Sequence, residues 1–215
     1  MISIETLVFN IFEENTYILH DETKECVIID PGCYKPEEEH FLQEFITKKS
    51  LKPVALLNTH CHIDHILGNH FVKNTFGIPL HIPKDEESNL NSVKTYGSFY
   101  GFAKYKEIKA DKLIDPDQVI KFGDSELTAL FVPGHTKGHM VFVNENEKFC
   151  IGGDVLFNGS IGRTDLPGGD FDTLIDSIHK KLFSLDDATI VYPGHGPTTT
   201  IGNEKKSNPF CAIQP

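Results

Sequence analysis

Thr59-His60-Cys61-His62-Ile63-Asp64-His65 places three histidines and one aspartate within six consecutive positions, His60 to His65. In an extended segment residues two apart point the same way, so His60 and His62 can converge on one ion. Asp64 and His65 fall where the pattern predicts a helix to begin. Their side chains can aim at a second nearby point, and a helix N-terminus favours a carboxylate there. Imidazole and carboxylate are the usual ligands of zinc and similar metals. A single histidine would read as an ordinary polar loop residue, whereas this density at this spacing reads as metal binding.

A compact apolar run at 54–58 leads straight into this cluster and reads as a buried strand. The same grammar recurs downstream. Residues 131–139 read F-V-P-G-H-T-K-G-H, residues 150–154 read C-I-G-G-D, and residues 191–196 read V-Y-P-G-H-G. Each time a strand ends, glycine permits an unusual turn, and one ligand-type side chain follows. Upstream, 2–9 and 16–20 read as strands joined by a turn at Glu13–Asn15, and 26–30 as a buried strand stopped by Pro31-Gly32. Pro36 opens a predicted helix with Glu37, Glu38 and Glu39 in its first turn and Phe41, Leu42, Phe45 and Ile46 on one face. A further helix is expected from Asp64 to about Thr75. Residues 84–117 look polar and irregular, and their aromatics Tyr96, Phe99, Tyr100, Phe102 and Tyr105 read as a small satellite core rather than a pocket wall. Strands are expected at 118–122, 126–132, 140–143, 148–151 and 188–192, with a helix at 170–183. Strands first and a helix last in each half predict two α/β halves whose sheets pack face to face.

The 215 residues, 39% hydrophobic and 24% charged, can build a substantial core, and a single domain over 1–215 is expected. A formal net charge of -11 argues against a nucleic acid or an anionic membrane as partner. An anionic small substrate stays compatible, because bound metal reverses the local sign. The N-terminus has neither the cationic region nor the apolar run of a signal peptide, and no stretch approaches a membrane span. Five cysteines, Cys26, Cys33, Cys61, Cys150 and Cys211, with no C-x-x-C pair, suit a reducing cytoplasm.

Together these landmarks resemble the metallo-β-lactamase superfamily, whose order is H-x-H-x-D-H, a later His, a later Asp and a final His. Here they are His60, His62, Asp64, His65, His135, Asp154 and His195, and Asp30-Pro31-Gly32 matches an early, structural Asp motif. The resemblance covers nearly the whole chain and implies an α/β fold, an αββα sandwich of two mixed β-sheets flanked by helices. Within the superfamily the chain looks most like short glyoxalase II-type (YcbL-like) hydrolases. The stretch G-G-D-V-L-F-N-G-S-I-G-R-T-D-L-P-G-G-D at 152–170 carries much of that match, as does Y-P-G-H-G-P-T-T-T-I-G-N-E-K-K-S-N-P-F at 192–210. Full-length glyoxalase II enzymes continue into a helical, glutathione-binding domain, so glutathione esters are expected to bind weakly here. Lys137 stands where many relatives have proline.

By that resemblance His60, His62 and His135 hold a first metal, Asp64, His65 and His195 a second, and Asp154 bridges. One or two divalent ions are expected, zinc first, with iron or manganese as alternatives. Asp64 and Asp154 would orient a metal-bound hydroxide for attack on a small acyl-thioester. Cys61 should point away from its neighbours' metal, and His139 and His70 should lie behind the ligands or in the core. Arg163, one arginine among twenty basic residues, is expected to brace its loop by pairing with Asp165. Arg163 and Lys137 are also the candidates for substrate contact. The alternative reading is a persulfide dioxygenase with one iron on His60, His135 and Asp154. A non-catalytic binding relative ranks below both, because degenerate relatives tend to lose ligands. A small-molecule substrate is expected, and oligomeric state is left open by the sequence.

Overall fold

The computed structural model describes residues 1–213, which resolve into two compact units. The first comprises Met1–Ile114 with Lys121–Ser125, and the second Asp115–Ile120 with Glu126 onward.

The first unit is built on a six-stranded mixed sheet in the order β1-β2-β3-β4-β5-β6. Strands β1 (Ser3–Phe9), β2 (Glu14–His20) and β3 (Glu25–Ile29) form an antiparallel meander. The first turn spans Asn10 to Glu13, not 13–15, and is set by positive φ at Asn10 (53°) and Glu13 (54°). From β3 onward the sheet is parallel, through β4 (Lys52–Leu57), β5 (Leu80–Pro83) and β6 (Lys112–Ile114). Parallel pairing requires crossovers, so helices alternate with these strands instead of following them all. Helix α1 (Pro36–Lys48) is the expected one. Proline opens it, Glu38 Oε2 accepts from the backbone N–H of Tyr34 and Lys35, and Leu42 and Ile46 are buried.

The helix expected from Asp64 to Thr75 is two helices, α2 (Ile63–Ile66) and α3 (Asn69–Phe76), broken at Leu67-Gly68. The break is imposed by packing. The N–H of Gly68 donates to the Pro31 carbonyl at 2.8 Å, and a β-carbon at 68 would stand 2.5 Å from Cys33 Sγ and 2.9 Å from Pro31 O. The 84–117 stretch is also more regular than its composition suggests. It contains α4 (Glu87–Tyr96) and β6. Helix α4 buries only Leu90 and Val93, too sparse an apolar face to stand out in the sequence.

The second sheet runs β14-β13-β10-β9-β8-β7, with β7 (Val119–Phe122), β8 (Ser125–Phe131), β9 (Met140–Asn144), β10 (Phe149–Gly153), β13 (Ile190–Pro193) and β14 (Thr199–Thr200). It is mixed: β10 pairs parallel with β13 and antiparallel with β9. A two-stranded hairpin, β11 (Leu156–Phe157) with β12 (Ser160–Ile161), follows β10. Helix α5 (Phe171–Ser177) is capped by Asp170 and continues as a π-helical turn over Ile178–Leu182. Helix α6 (Ile201–Ser207), absent from the sequence reading, is capped by Thr200. Each unit has its own apolar cluster, around Ile28, Leu56 and Leu80 in the first and Val141, Val191 and Leu174 in the second. All five cysteines are buried and free. Among the described residues no helix is long and apolar enough to cross a membrane.

His81 on β5 is buried, with neither ring nitrogen hydrogen-bonded among the described residues. Burial, aided by the Lys112 charge, lowers its pKa from the ordinary 6.5. The unfolded chain therefore binds the proton more readily than the folded one. The resulting stabilisation is complete above pH 6.5 and is lost as pH falls towards the folded value. His81→Leu is expected to shrink the fall in urea-unfolding free energy between pH 7.5 and pH 5.5. An unchanged pH slope in the variant would contradict this.

Candidate metal centre

In each unit ligand-type residues stand at the carboxyl ends of a parallel strand pair, where open α/β sheets present their sites, whereas His135 lies in the loop between the antiparallel strands β8 and β9. In the first unit the pair is β3/β4. Asp30 follows β3 in the left-handed region (φ 50°), and Asn58-Thr59-His60 follows β4. The Asp30 N–H donates to Leu57 O at 3.0 Å, which locks the two strand ends together. The Asp30 carboxylate, 1% exposed, then gathers the ligand loop. Its Oδ1 accepts from Thr59 N at 2.7 Å, and its Oδ2 from Thr59 Oγ1 at 2.6 Å and from His65 Nδ1 at 3.2 Å.

These contacts fix the tautomers. A carboxylate only accepts, so His65 carries its proton on Nδ1 and presents the Nε2 lone pair. The single Thr59 hydroxyl proton goes to Asp30, so Thr59 Oγ1 is an acceptor for His60 Nδ1–H at 3.0 Å. His60 thus also presents Nε2. The His60 ring lies 4.8 Å from that of His62 and 4.2 Å from that of His65. His65 Nε2 is 3.7 Å from Asp64 Oδ2. Beneath them Glu14 is fully buried, accepts from Thr16 Oγ1 at 2.9 Å, and is held well above the usual carboxylate range by burial.

The second unit repeats the logic on β10/β13, where the Gly194 N–H donates to Gly153 O at 2.8 Å. Asp154 directly follows β10, and His195 follows β13 and Gly194. One carboxylate oxygen, Asp154 Oδ2, lies 3.6 Å from both His135 Nε2 and His195 Nε2. His135 Nδ1 donates to the Arg163 carbonyl at 2.8 Å, so His135 too presents its Nε2 lone pair. His139 is turned to a different task. Its Nε2 accepts from the Asp154 N–H at 3.1 Å and so positions Asp154 from behind. Gly162 makes the arrangement possible, because a β-carbon there would sit 1.9 Å from Asp154 O and 3.2 Å from His135 Nδ1.

The chemistry of this donor set fits divalent metal. With Nδ1–H engaged, the neutral rings of His65 and His135 would each direct an Nε2 lone pair towards a carboxylate oxygen 3.6–3.7 Å away. Two electron-pair donors facing each other at that separation are stabilised by a cation held between them. The hydrogen bonds on Nδ1 are the outer contacts that fix tautomer and ring direction in metal-ligating histidines.

Cys61 is not a nucleophile. It is fully buried, and burial, with the charges of Glu86 and Asp30, pushes its thiol well above the ordinary value. Its N–H donates to the buried carboxylate of Glu86 at 2.9 Å, which also accepts from Asn89 Nδ2 at 2.9 Å. Glu86 therefore pins the backbone between His60 and His62. Sequence reading missed it because nothing local marks a contact across 25 positions.

Arg163 grips Asp165 through two parallel hydrogen bonds, Nε to Oδ1 at 2.8 Å and Nη2 to Oδ2 at 2.7 Å. The guanidinium holds the Asp165 carboxyl down to about 2. The fork braces the same residue whose carbonyl orients His135. Lys137 is exposed and passes beside Gly168. Arg163→Lys cannot reproduce the fork. It is expected to weaken metal retention with a small loss of thermal stability, at unchanged KM. A raised KM with metal content and stability both intact would assign the side chain to substrate instead.

Residues 10–195 match the family model described as the metallo-beta-lactamase superfamily. The chain is 37% identical over 210 residues to the hydroxyacylglutathione hydrolase GloC of Haemophilus influenzae, covering 97% of each chain. Among solved structures it is similar to the B3 metallo-beta-lactamase BLEG-1, with TM-score 0.86 and 34% identity over 98% of this chain and 100% of that one. It is also similar to TTHA1623 in a di-iron-bound form, with TM-score 0.85 and 31% identity over 96% and 99% of the two chains. The fold class is accordingly α/β, the αββα sandwich of two mixed sheets flanked by helices.

Proposed function

Because the chain belongs to the metallo-beta-lactamase superfamily, we propose that it is a metal-dependent hydrolase of small acyl-thioesters, similar to hydroxyacylglutathione hydrolases. In this reading His60, His62, Asp64, His65, His135, Asp154 and His195 are the residues that would hold one or two divalent ions, with zinc the first candidate. By the superfamily pattern His60, His62 and His135 would hold one ion, Asp64, His65 and His195 the other, and Asp154 would contribute to both. The observation that carries the metal assignment is the set of imidazoles with Nδ1–H engaged and Nε2 facing carboxylate. The substrate class is supported by the 37% identity to GloC across nearly the full length of both chains.

When bound, divalent ions polarise a carbonyl and lower the pKa of coordinated water from 15.7 to about 7. The protein's own contribution is positioning. Asp30 fixes His65 directly and His60 through Thr59. Arg163 and His139 fix His135 and Asp154. Asp64 and Asp154, as acceptor-only groups, orient the proton of an attacking water so that its lone pair faces the carbonyl. A thiolate leaves readily without a proton from the protein, so a thioester needs less leaving-group assistance than an amide.

The test is metal analysis of protein purified without added metal, followed by a panel of thioesters, oxygen esters and β-lactams at matched metal occupancy. Release of thiol at rates far above those for amide and lactam is expected. Lactam opening faster than thioester cleavage would reassign the substrate class and leave the metal ligands in place.

A further inference from the structure

The aromatic residues after α4 are only partly accounted for by the core. Phe102 is buried and rests on Tyr34, with ring centroids 4.9 Å apart. Phe99, by contrast, is 86% exposed and Tyr100 40%. In the turn after β1, Ile11 is 65% exposed and Phe12 40%. The two segments share one surface: Phe12 meets Tyr100 at 6.5 Å and Phe102 at 5.9 Å, while Tyr100 meets Phe99 at 5.5 Å and Tyr96 at 5.8 Å. Single exposed apolar side chains are common, but a contiguous group marks a binding surface.

Both segments are tied to the helix that carries Asp64 and His65. Asn10 Nδ2 donates to the Asp64 carbonyl at 3.1 Å and to Gly32 O at 3.0 Å, and Asn10 Oδ1 accepts from Phe12 N at 2.9 Å. On the other side Gly97 lies against Ile63, between the ligands His62 and Asp64. A β-carbon at 97 would come within 3.3 Å of Ile63 Cδ1. The loop beyond is closed by Phe99 N to Tyr96 O at 2.9 Å and Phe102 N to Gly97 O at 2.9 Å, which turns Phe99 and Tyr100 outward. Asp64 is also near enough to reinforce burial in pushing the Tyr96 hydroxyl up to about 12. A satellite core explains Tyr34, Phe102 and Tyr105. It does not explain why the two segments that carry the outward aromatics both anchor, through Asn10 and Gly97, on the helix that bears Asp64 and His65.

We propose that Ile11, Phe12, Phe99 and Tyr100 form an apolar wall beside the Asp64 side of the metal centre, against which an alkyl or aryl arm of the substrate packs. This rests on the thioesterase reading and adds a specificity to it: the favoured substrates carry an apolar arm on the carbonyl or on the sulfur.

Two substrate series test it with metal-loaded protein. One is N-acetylcysteamine esters from acetyl to octanoyl, and the other acetyl esters of ethane- to octanethiol. The value of kcat/KM is expected to rise about two- to fourfold per methylene along one of them. The ratio of longest to shortest ester should fall at least about tenfold in the Phe12→Ala/Phe99→Ala double variant. Both series flat while short esters are cleaved, or an unchanged ratio in the double variant, would overturn the wall and leave the thioesterase reading standing. The chain contains no tryptophan, so Phe99→Trp supplies a reporter independent of turnover. A blue shift in its emission with a non-hydrolysable octyl thioether analogue is expected. If no thioester is cleaved, that emission decides the wall alone, and an unchanged spectrum overturns it.

Discussion

His60→Ala or His135→Ala is expected to release the bound divalent ion and abolish turnover while leaving the fold largely intact. Each histidine offers Nε2 because Nδ1 is already committed, His60 to Thr59 and His135 to the Arg163 carbonyl. Alanine removes that electron pair. Losing an outer contact behind a ligand costs about 10–100-fold in metal affinity, and losing the ligand itself should cost more. Stability responds less, because each unit keeps its own apolar cluster. The check is metal content after dialysis, alongside thiol release and circular dichroism. Wild-type metal content and turnover in either variant would remove that residue from the centre.

Asp30→Ala is expected to do damage of a different kind, lowering stability and metal affinity together. The carboxylate is buried and receives Thr59 N, Thr59 Oγ1 and His65 Nδ1. Removing it strands three buried donors and places alanine at a φ of 50°. Breaking one side of such a network costs about 3–5 kcal/mol. For a chain of this length that corresponds to a fall of about 10 °C in Tm. With its Nδ1 partner gone, His65 loses its fixed tautomer, so the metal it serves should be held about 10–100-fold less tightly. Asp30→Asn keeps the shape and tolerates the left-handed backbone, yet its amide offers a donor where acceptors are needed. It should therefore recover much of the stability and little of the metal affinity. Full recovery of both would mean that Asp30 shapes a turn and nothing more.

The candidate ligand residues stand out in the sequence because metal-binding side chains concentrate their signal. His60, His62, Asp64 and His65 lie within one short stretch, and His135, Asp154 and His195 each follow a strand and a glycine-bearing turn. The strands around them were legible for a similar reason, since buried runs such as C-V-I-I at 26–29 and V-A-L-L at 54–57 have few alternatives. What stayed hidden depends on contacts distant in sequence. Nothing local announces that Gly68 must fit against Cys33 and Pro31, so the helix break was missed. Helix α4 buries too few residues to show a period. Glu86 acts on Cys61 from 25 positions away, and the Arg163 backbone carbonyl holds His135 from 28. A side-chain motif cannot reveal a carbonyl's role. Arg163 itself was read correctly as a loop brace on Asp165, because a lone arginine beside aspartate has a narrow choice of partners.

Free-thiol release from a 2-hydroxyacyl thioester under strict anaerobiosis, measured beside oxygen uptake with a persulfide on the same metal-loaded protein, separates a hydrolase from an oxygenase. The expected result is stoichiometric thiol release without oxygen and no oxygen consumption with the persulfide. Oxygen consumption by iron-loaded protein that releases no thiol would contradict the hydrolase assignment.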